Sequence, residues 1–181
     1  DPAIFVYGSG PNDVIGPVFP LTLTFPMHTM SSFFKVRTFI AAFKETSPLS
    51  LVGGTVVNSQ LSGFIHTVTL NSGVSDGIID NLPIIDMNGL LGKTISVGDR
   101  ASLVQLITDK NFRVSVRVGE KWNLGLFIPT HGKFGNIEGI PKSQKVIIGD
   151  YVITSGISKI YPENIPVAEV LSVEVDLERP F

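Results

Sequence analysis

Phe64-Ile65-His66-Thr67-Val68-Thr69-Leu70 decides the fold class of this chain. Ile65, Thr67 and Thr69 fall on one side of an extended backbone, and Phe64, His66, Val68 and Leu70 fall on the other. That period of two is the mark of a half-buried strand. Working outward, the same β-branched texture recurs at 55–57, 78–79, 82–85, 90–91, 94–97, 102–107 and 113–118, then at 124–129, 145–148, 151–154 and 165–175. Gly, Asn, Asp and Pro punctuate these segments at roughly the 8–12 residue intervals of a barrel or sandwich. No long helical period separates them, which excludes βαβ units. From residue 50 onward the chain reads as all-β.

The first 49 residues have another texture, rich in Phe (Phe5, Phe19, Phe25, Phe33, Phe34, Phe39, Phe43) and Pro (Pro2, Pro11, Pro17, Pro20, Pro26). Leu21-Thr22-Leu23-Thr24-Phe25 between two prolines suits a short edge strand. Residues 31–45 predict a helix: Ser31 or Ser32 can cap it, no Gly or Pro interrupts it, and Ser47-Pro48 ends it. Apolar residues lie nearly all round that helix, so it is expected in a core or against another chain.

Of 181 residues, 43% are hydrophobic and 17% charged, which argues against disorder. Fourteen Lys and Arg against 16 Asp and Glu leave a net charge of -2 and no reason to expect nucleic acid as a partner. The absence of Cys excludes disulfides, thiol catalysis and thiolate-held zinc. No apolar run is long enough to span a bilayer as a helix. A composition this apolar leans towards a piece of an assembly.

Constellations that could carry chemistry are sparse. Gly89-Leu90-Leu91-Gly92-Lys93-Thr94 invites comparison with a phosphate-binding loop, but Met87 stands where the first Gly is required and a strand follows in place of a helix. Asn88-Gly89 fits a tight hairpin turn better. His28, His66 and His131 have no ligand spacing, so no metal and no cofactor are expected. His66, Asp86 and Ser155 follow the chain order of a chymotrypsin-type triad, yet Thr154-Ser155-Gly156 lacks the sequence that builds an oxyanion loop. A hydrolase with these three residues is therefore a rival reading only.

One segment is specific. Gly149-Asp150-Tyr151-Val152-Ile153-Thr154-Ser155-Gly156, followed by Ile160-Tyr161-Pro162-Glu163-Asn164-Ile165-Pro166-Val167-Ala168-Glu169-Val170, resembles the closing signature of the rod shape-determining MreC family. That signature runs G-D-x-V-V-T-S-G and then F-P-x-G-I-P-V-G-x-V. Asn71–Gly77, Asn88–Lys93, Ser102–Asp109 and Val114–Arg117 are similar to earlier turns and strands of the family, in its order, so the resemblance spans about residues 52–175. Asn164 and Ala168 stand where the family usually has Gly; Asn tolerates the left-handed backbone that such a turn needs. Gly149, Asp150, Ser155, Gly156, Pro162 and Pro166 read as a structural turn motif.

The resemblance implies a mainly-β fold of two small six-stranded-type barrels, a chymotrypsin-like double barrel without catalysis, preceded by a short helix. The expected division is an N-terminal segment over 1–49, a first barrel from 50–100 plus 164–178, and a second barrel from 101–163. It further implies a non-enzymatic scaffold at the periplasmic face of the bacterial inner membrane, held there by an anchor this chain lacks. Its partners would be a class B penicillin-binding protein, which it would activate, and further copies of itself, with MreD, RodA and MreB in the same complex. Phe112, Trp122, Phe127, Phe134 and Tyr161 are the candidate contact residues, since aromatics on turns often anchor interfaces; barrel core is the alternative for each. A self-assembling envelope protein with no enzyme partner is the second rival.

Overall fold

The structure, a computed structural model, describes residues 3–7, 51–86 and 88–174. Eleven strands account for nearly all regular structure among them, with one 3-10 turn at Val74–Asp76. Strands β1 (Ala3–Tyr7), β2 (Leu51–Ser62), β3 (Ile65–Leu70), β4 (Pro83–Asp86), β5 (Gly89–Val97) and β6 (Ser102–Leu106) close into a barrel in the order β1-β2-β3-β6-β5-β4. Strands β7 (Val114–Val118), β8 (Asn123–Pro129), β9 (Gly135–Glu138), β10 (Tyr151–Thr154) and β11 (Pro166–Glu169) form a sheet in the order β11-β10-β7-β8-β9. β1 runs parallel to both its neighbours, and every other pairing is antiparallel.

The period of two sets the barrel core. Val68 and Leu70 of β3 and Val104 and Leu106 of β6 turn inward with Ile84 of β4 and Leu91 of β5, and Ile78 and Leu82 plug the barrel from the η1–β4 connection. Burying each such aliphatic side chain is worth about 1.5–3 kcal/mol. Thr94 is wholly buried yet satisfied: its hydroxyl donates to the Ile79 carbonyl at 2.6 Å and accepts the Leu82 N–H at 2.8 Å. One side chain thereby ties the irregular 79–82 segment to β5, and explains why 78–79 is not a strand.

The second core lies under the sheet. Val114, Val116 and Val118 of β7, Phe127 of β8 and Val152 of β10 gather with Phe112, Tyr161, Ile165 and Val170. Ile85 and Leu90, which flank the β4–β5 turn of the barrel, belong to this second cluster. That hairpin is the joint between the two units. At its apex Gly89 has φ +141°, and a Cβ there would overlap the carbonyl oxygen of Pro166 in β11.

The expected pair of small β units is present, the first as a closed barrel and the second as a five-stranded sheet. Their boundaries differ from the expected division. Ser102–Leu106 pairs with β3 and β5 and so belongs to the barrel, while Pro166–Glu169 pairs with β10 and closes the second sheet. The reason is packing: Ile165 and Val170, either side of β11, are buried against the β7 and β10 valines. The barrel also takes a strand from the N-terminal segment, Ala3–Tyr7, which its Pro-rich surroundings concealed. Strand β9 has no clear sequence signature, because Gly-Asn-Ile-Glu has little strand propensity and is ordered by pairing with β8. Residues 145–148 form no strand. The helix expected over 31–45 and the edge strand at 21–25 lie outside the described residues.

Candidate interface on the second sheet

Cross-strand register defines the outward face of the second sheet. Val114, Val116 and Val118 point to the core, so Ser115 and Arg117 point out, and their partners Leu126 and Leu124 on β8 point out with them. On the other side Arg117 pairs with Ile153 of β10, and Tyr151 lies on the same face one position beyond, opposite Glu169. Leu124 is 49% exposed, Leu126 38% and Tyr151 62%. The result is an apolar band across three strands with one cation in its midst. Arg117 reaches Glu163 at 3.4 Å, a solvent-screened pair worth well under 1 kcal/mol that leaves the guanidinium available.

The band continues round the end of the sheet. Trp122 closes the β7–β8 turn by donating its N–H to the Gly119 carbonyl, with φ +55°, and is 53% exposed. Gly119 in turn donates to the Tyr151 carbonyl, and a Cβ on Gly119 would crowd the Asp150 carboxylate. Asp150 accepts the Ile147 N–H at 2.9 Å, while Asn123 donates its side-chain amide to the Lys145 carbonyl at 3.1 Å. These bonds hold the 119–123 turn beside the 145–151 loop, which exposes Ile147 and Ile148. An exposed, largely apolar surface with aromatic members has the composition common at protein docking surfaces.

Of the five aromatic candidates, only Trp122 and Phe134 (44% exposed) reach the surface. Phe112, Phe127 and Tyr161 are core residues of the second cluster and present no face to a partner; Phe112 and Tyr161 pack ring against ring at 5.9 Å. The Tyr161 hydroxyl is buried without a hydrogen-bond partner, and burial pushes its pKa well above the usual phenol range. Leu124, Leu126, Tyr151 and Ile153 were missed. The alternation of Val114-Ser115-Val116-Arg117-Val118 was the available signal, because it assigns the outward face and the register carries that face to the neighbouring strands.

The turn motif folds as a linked series. Gly149, Gly156 and Asn164 all take positive φ, at +91°, +73° and +67°. Ser155 is buried, donates its N–H to the Ser115 carbonyl and accepts the Ile157 N–H at 3.3 Å. The Thr154 hydroxyl donates to the Pro162 carbonyl and accepts the Ile165 N–H at 2.9 Å. Pro166 opens β11 opposite Ile153. Ala168 sits opposite Val152 within β11, a strand position that any residue tolerates.

His66, Asp86 and Ser155 do not converge. The His66 Nδ1 lies 2.9 Å from the Thr108 hydroxyl, Asp86 accepts the Asn88 and Gly89 N–H groups of its own turn, and Ser155 serves the turn after β10. Among the described residues no hydrogen bond joins any two of the three. Among the same residues no group of three or more His, Asp and Glu could hold a metal, and no helix is long and apolar enough to cross a membrane.

Residues 56–181 match the family model for the rod shape-determining protein MreC, barrel core. Curated relatives include the cell shape-determining protein MreC of Haemophilus influenzae, 31% identical over 127 residues that are 70% of this chain and 36% of that protein. That of Cereibacter sphaeroides is 34% identical over 67% of this chain and 41% of its own length. The chain thus spans well under half of either relative. Among solved structures, MreC from Pseudomonas aeruginosa superposes with a TM-score of 0.66 at 23% identity, over 71% of this chain and 83% of that one. The complex between a penicillin-binding protein and MreC from Helicobacter pylori matches with a TM-score of 0.53 at 25% identity, over 66% of this chain and 78% of that one. The major periplasmic domain of the filament-forming MreC matches at 0.58 and 23% identity, over 67% and 81% of the two chains.

Proposed function

This chain belongs to the MreC family, and from that membership we propose that it is a non-enzymatic extracytoplasmic scaffold of bacterial cell elongation, helping to maintain rod shape. On this reading it docks a class B penicillin-binding protein through the outward face of its second sheet, with Leu124, Leu126, Tyr151 and Ile153 as the apolar ground and Trp122 at the rim. The observation that carries the reading is this exposed band on a rigid sheet, in a chain whose Helicobacter pylori neighbour is complexed with a penicillin-binding protein. Arg117 adds specificity, since its weakly paired guanidinium can donate to a carboxylate of the partner. Phe134 lies in the β8–β9 turn and extends the candidate surface at the far edge of the sheet.

Activation then has a simple physical form. A scaffold that binds the open arrangement of the transpeptidase more tightly than the closed one shifts its population, by no more than the difference in affinity. Self-association, and company with MreD, RodA and MreB at the inner membrane, complete the proposal through parts of the protein beyond this chain's barrel core.

Calorimetric titration into the periplasmic part of the same organism's elongation penicillin-binding protein tests it. Binding in the micromolar range, weakened about tenfold or more by Leu124→Ser with Leu126→Ser, is the expected result. Unchanged affinity in that variant would place the partner elsewhere, and no binding would overturn the partner assignment.

A further inference from the structure

The β2–β3 hairpin runs past the barrel it belongs to. β1 pairs with β2 only over Leu51–Thr55, and the β6 ladder on β3 stops at the Thr67–Gln105 pair, whereas β2 and β3 stay paired out to Ser62 and Ile65. The pairs Leu61–His66 and Ser62–Ile65 and the Gly63–Phe64 turn therefore project, about 7 Å of two-stranded ribbon. Such a ribbon has no independent stability, and it is tethered at one side only. Lys110 donates its N–H to the Phe64 carbonyl at 3.1 Å, and Asp109 accepts the His66 N–H.

The tip carries an apolar side chain on each face, among the polar Ser59, Gln60, Ser62 and His66. Leu61 (54% exposed) stands opposite His66 on one face, Ile65 (55%) opposite Ser62 on the other, and Phe64 (67%) caps the turn beside Gly63. A flat protein interface would cover one of those faces and leave the other wet. A lipid leaflet surrounds an inserted tip.

Charge points the same way. No Asp or Glu occurs from Leu51 to Ser75, in a chain whose net charge is -2. Two exposed cations collar the tip: the Lys110 ammonium rests 4.2 Å from the Phe64 ring centroid, and Arg113 is fixed by donating to the Lys110 and Phe112 carbonyls at 2.8 and 2.7 Å. The nearby acid, Asp109, is buried and faces inward onto three donors. Apolar side chains that enter a leaflet by roughly 5–10 Å, with basic ends held at phosphate depth, are the chemistry of an interfacial anchor.

We propose that the β2–β3 tip, formed by Leu61, Phe64 and Ile65 and collared by Lys110 and Arg113, inserts into the surface of an anionic lipid leaflet. This goes beyond the partner-docking face, which lies on the other sheet. The test is flotation of the whole chain with vesicles of phosphatidylcholine containing one-quarter phosphatidylglycerol, against vesicles of phosphatidylcholine alone. Binding to the mixed vesicles is expected, about tenfold weaker for L61S/F64S/I65S and several-fold weaker for K110Q/R113Q or in high salt. Because the ribbon lies outside the barrel core, F64W in a W122F background supplies a readout that does not rely on loss: its emission shifts to the blue on the mixed vesicles.

Absence of binding to mixed vesicles overturns the proposal, as does equal binding to both vesicle types or equal binding by the triple variant. So does a triple variant whose only change, in sedimentation velocity, is loss of self-association, because the tip would then belong to a second copy of the chain.

Discussion

The backbone N–H of His66 donates to the Asp109 carboxylate at 2.9 Å, joining residues 43 apart in sequence. The same carboxylate accepts the Gln105 side-chain amide at 2.8 Å and the Asn111 N–H at 2.9 Å. Burial alone would raise the Asp109 pKa, but these donors outweigh it and hold the acid below its ordinary value. One side chain thus fixes the root of the projecting hairpin to the turn that leads from the barrel into the second sheet.

Asp109→Ala strands three donors and should cost about 1–3 kcal/mol. The lowered native pKa sets the sign with pH. The contribution is complete above the unfolded value near 3.9 and is lost as pH falls through the lower native value. Melting temperatures from pH 6 down to pH 3 should converge between wild type and Asp109→Asn; a gap that stays constant would deny the carboxylate its charged role.

Asp86 makes the opposite prediction. Burial raises its pKa despite the N–H groups of Asn88 and Gly89, so its charged form is the disfavoured one in the folded chain. Stability from this group is gained as pH falls through the raised native pKa and is reduced above it. Asp86→Asn keeps an oxygen for both N–H groups without the charge, and should leave the melting temperature at pH 7 unchanged or higher. A loss of several degrees there would mean that ionised Asp86 has a partner the geometry does not reveal.

Gly89→Ala should separate joint from core. With φ +141° and the Pro166 carbonyl against its α-carbon, a methyl group forces the β4–β5 turn away from β11. A cost of about 2–3 kcal/mol is expected, roughly 5–10 °C in melting temperature. Gly63→Ala, at a turn with open space around it, provides the comparison and should cost less. Equal losses at the two glycines would show that backbone conformation, not the joint, dominates.

Trp122 tests whether the turn at the sheet's end trades stability for contact. A non-glycine residue at φ +55° is strained by about 1–2 kcal/mol, and this one is largely exposed. Trp122→Gly should therefore hold or raise the melting temperature while lowering affinity for the penicillin-binding protein. A variant that melts lower and binds as before would assign Trp122 to folding.

The all-β class was legible in Phe64–Leu70 because a period of two survives wherever one face is buried, as Val68 and Leu70 are here. The turns at Gly149, Gly156 and Asn164 were legible too, since left-handed backbone restricts the residues that can occupy it. What a local pattern does not contain is which strand meets which. Ser102–Leu106 and Pro166–Glu169 exchange units relative to the expected division because long-range packing decides their neighbours: Val104 and Leu106 join the barrel core, while Ile165 and Val170 pack against the β7 and β10 valines.

The same limit governs the candidate surface. Phe112, Phe127 and Tyr161 have the chemistry of interface anchors and of core residues alike, and only burial separates them from Trp122 and Phe134. Composition and periodicity determined that this chain is a β protein with tight, glycine-dependent turns. Tertiary structure decided which apolar side chains remain outside, because exposure depends on cross-strand register and on the packing of segments far apart in sequence.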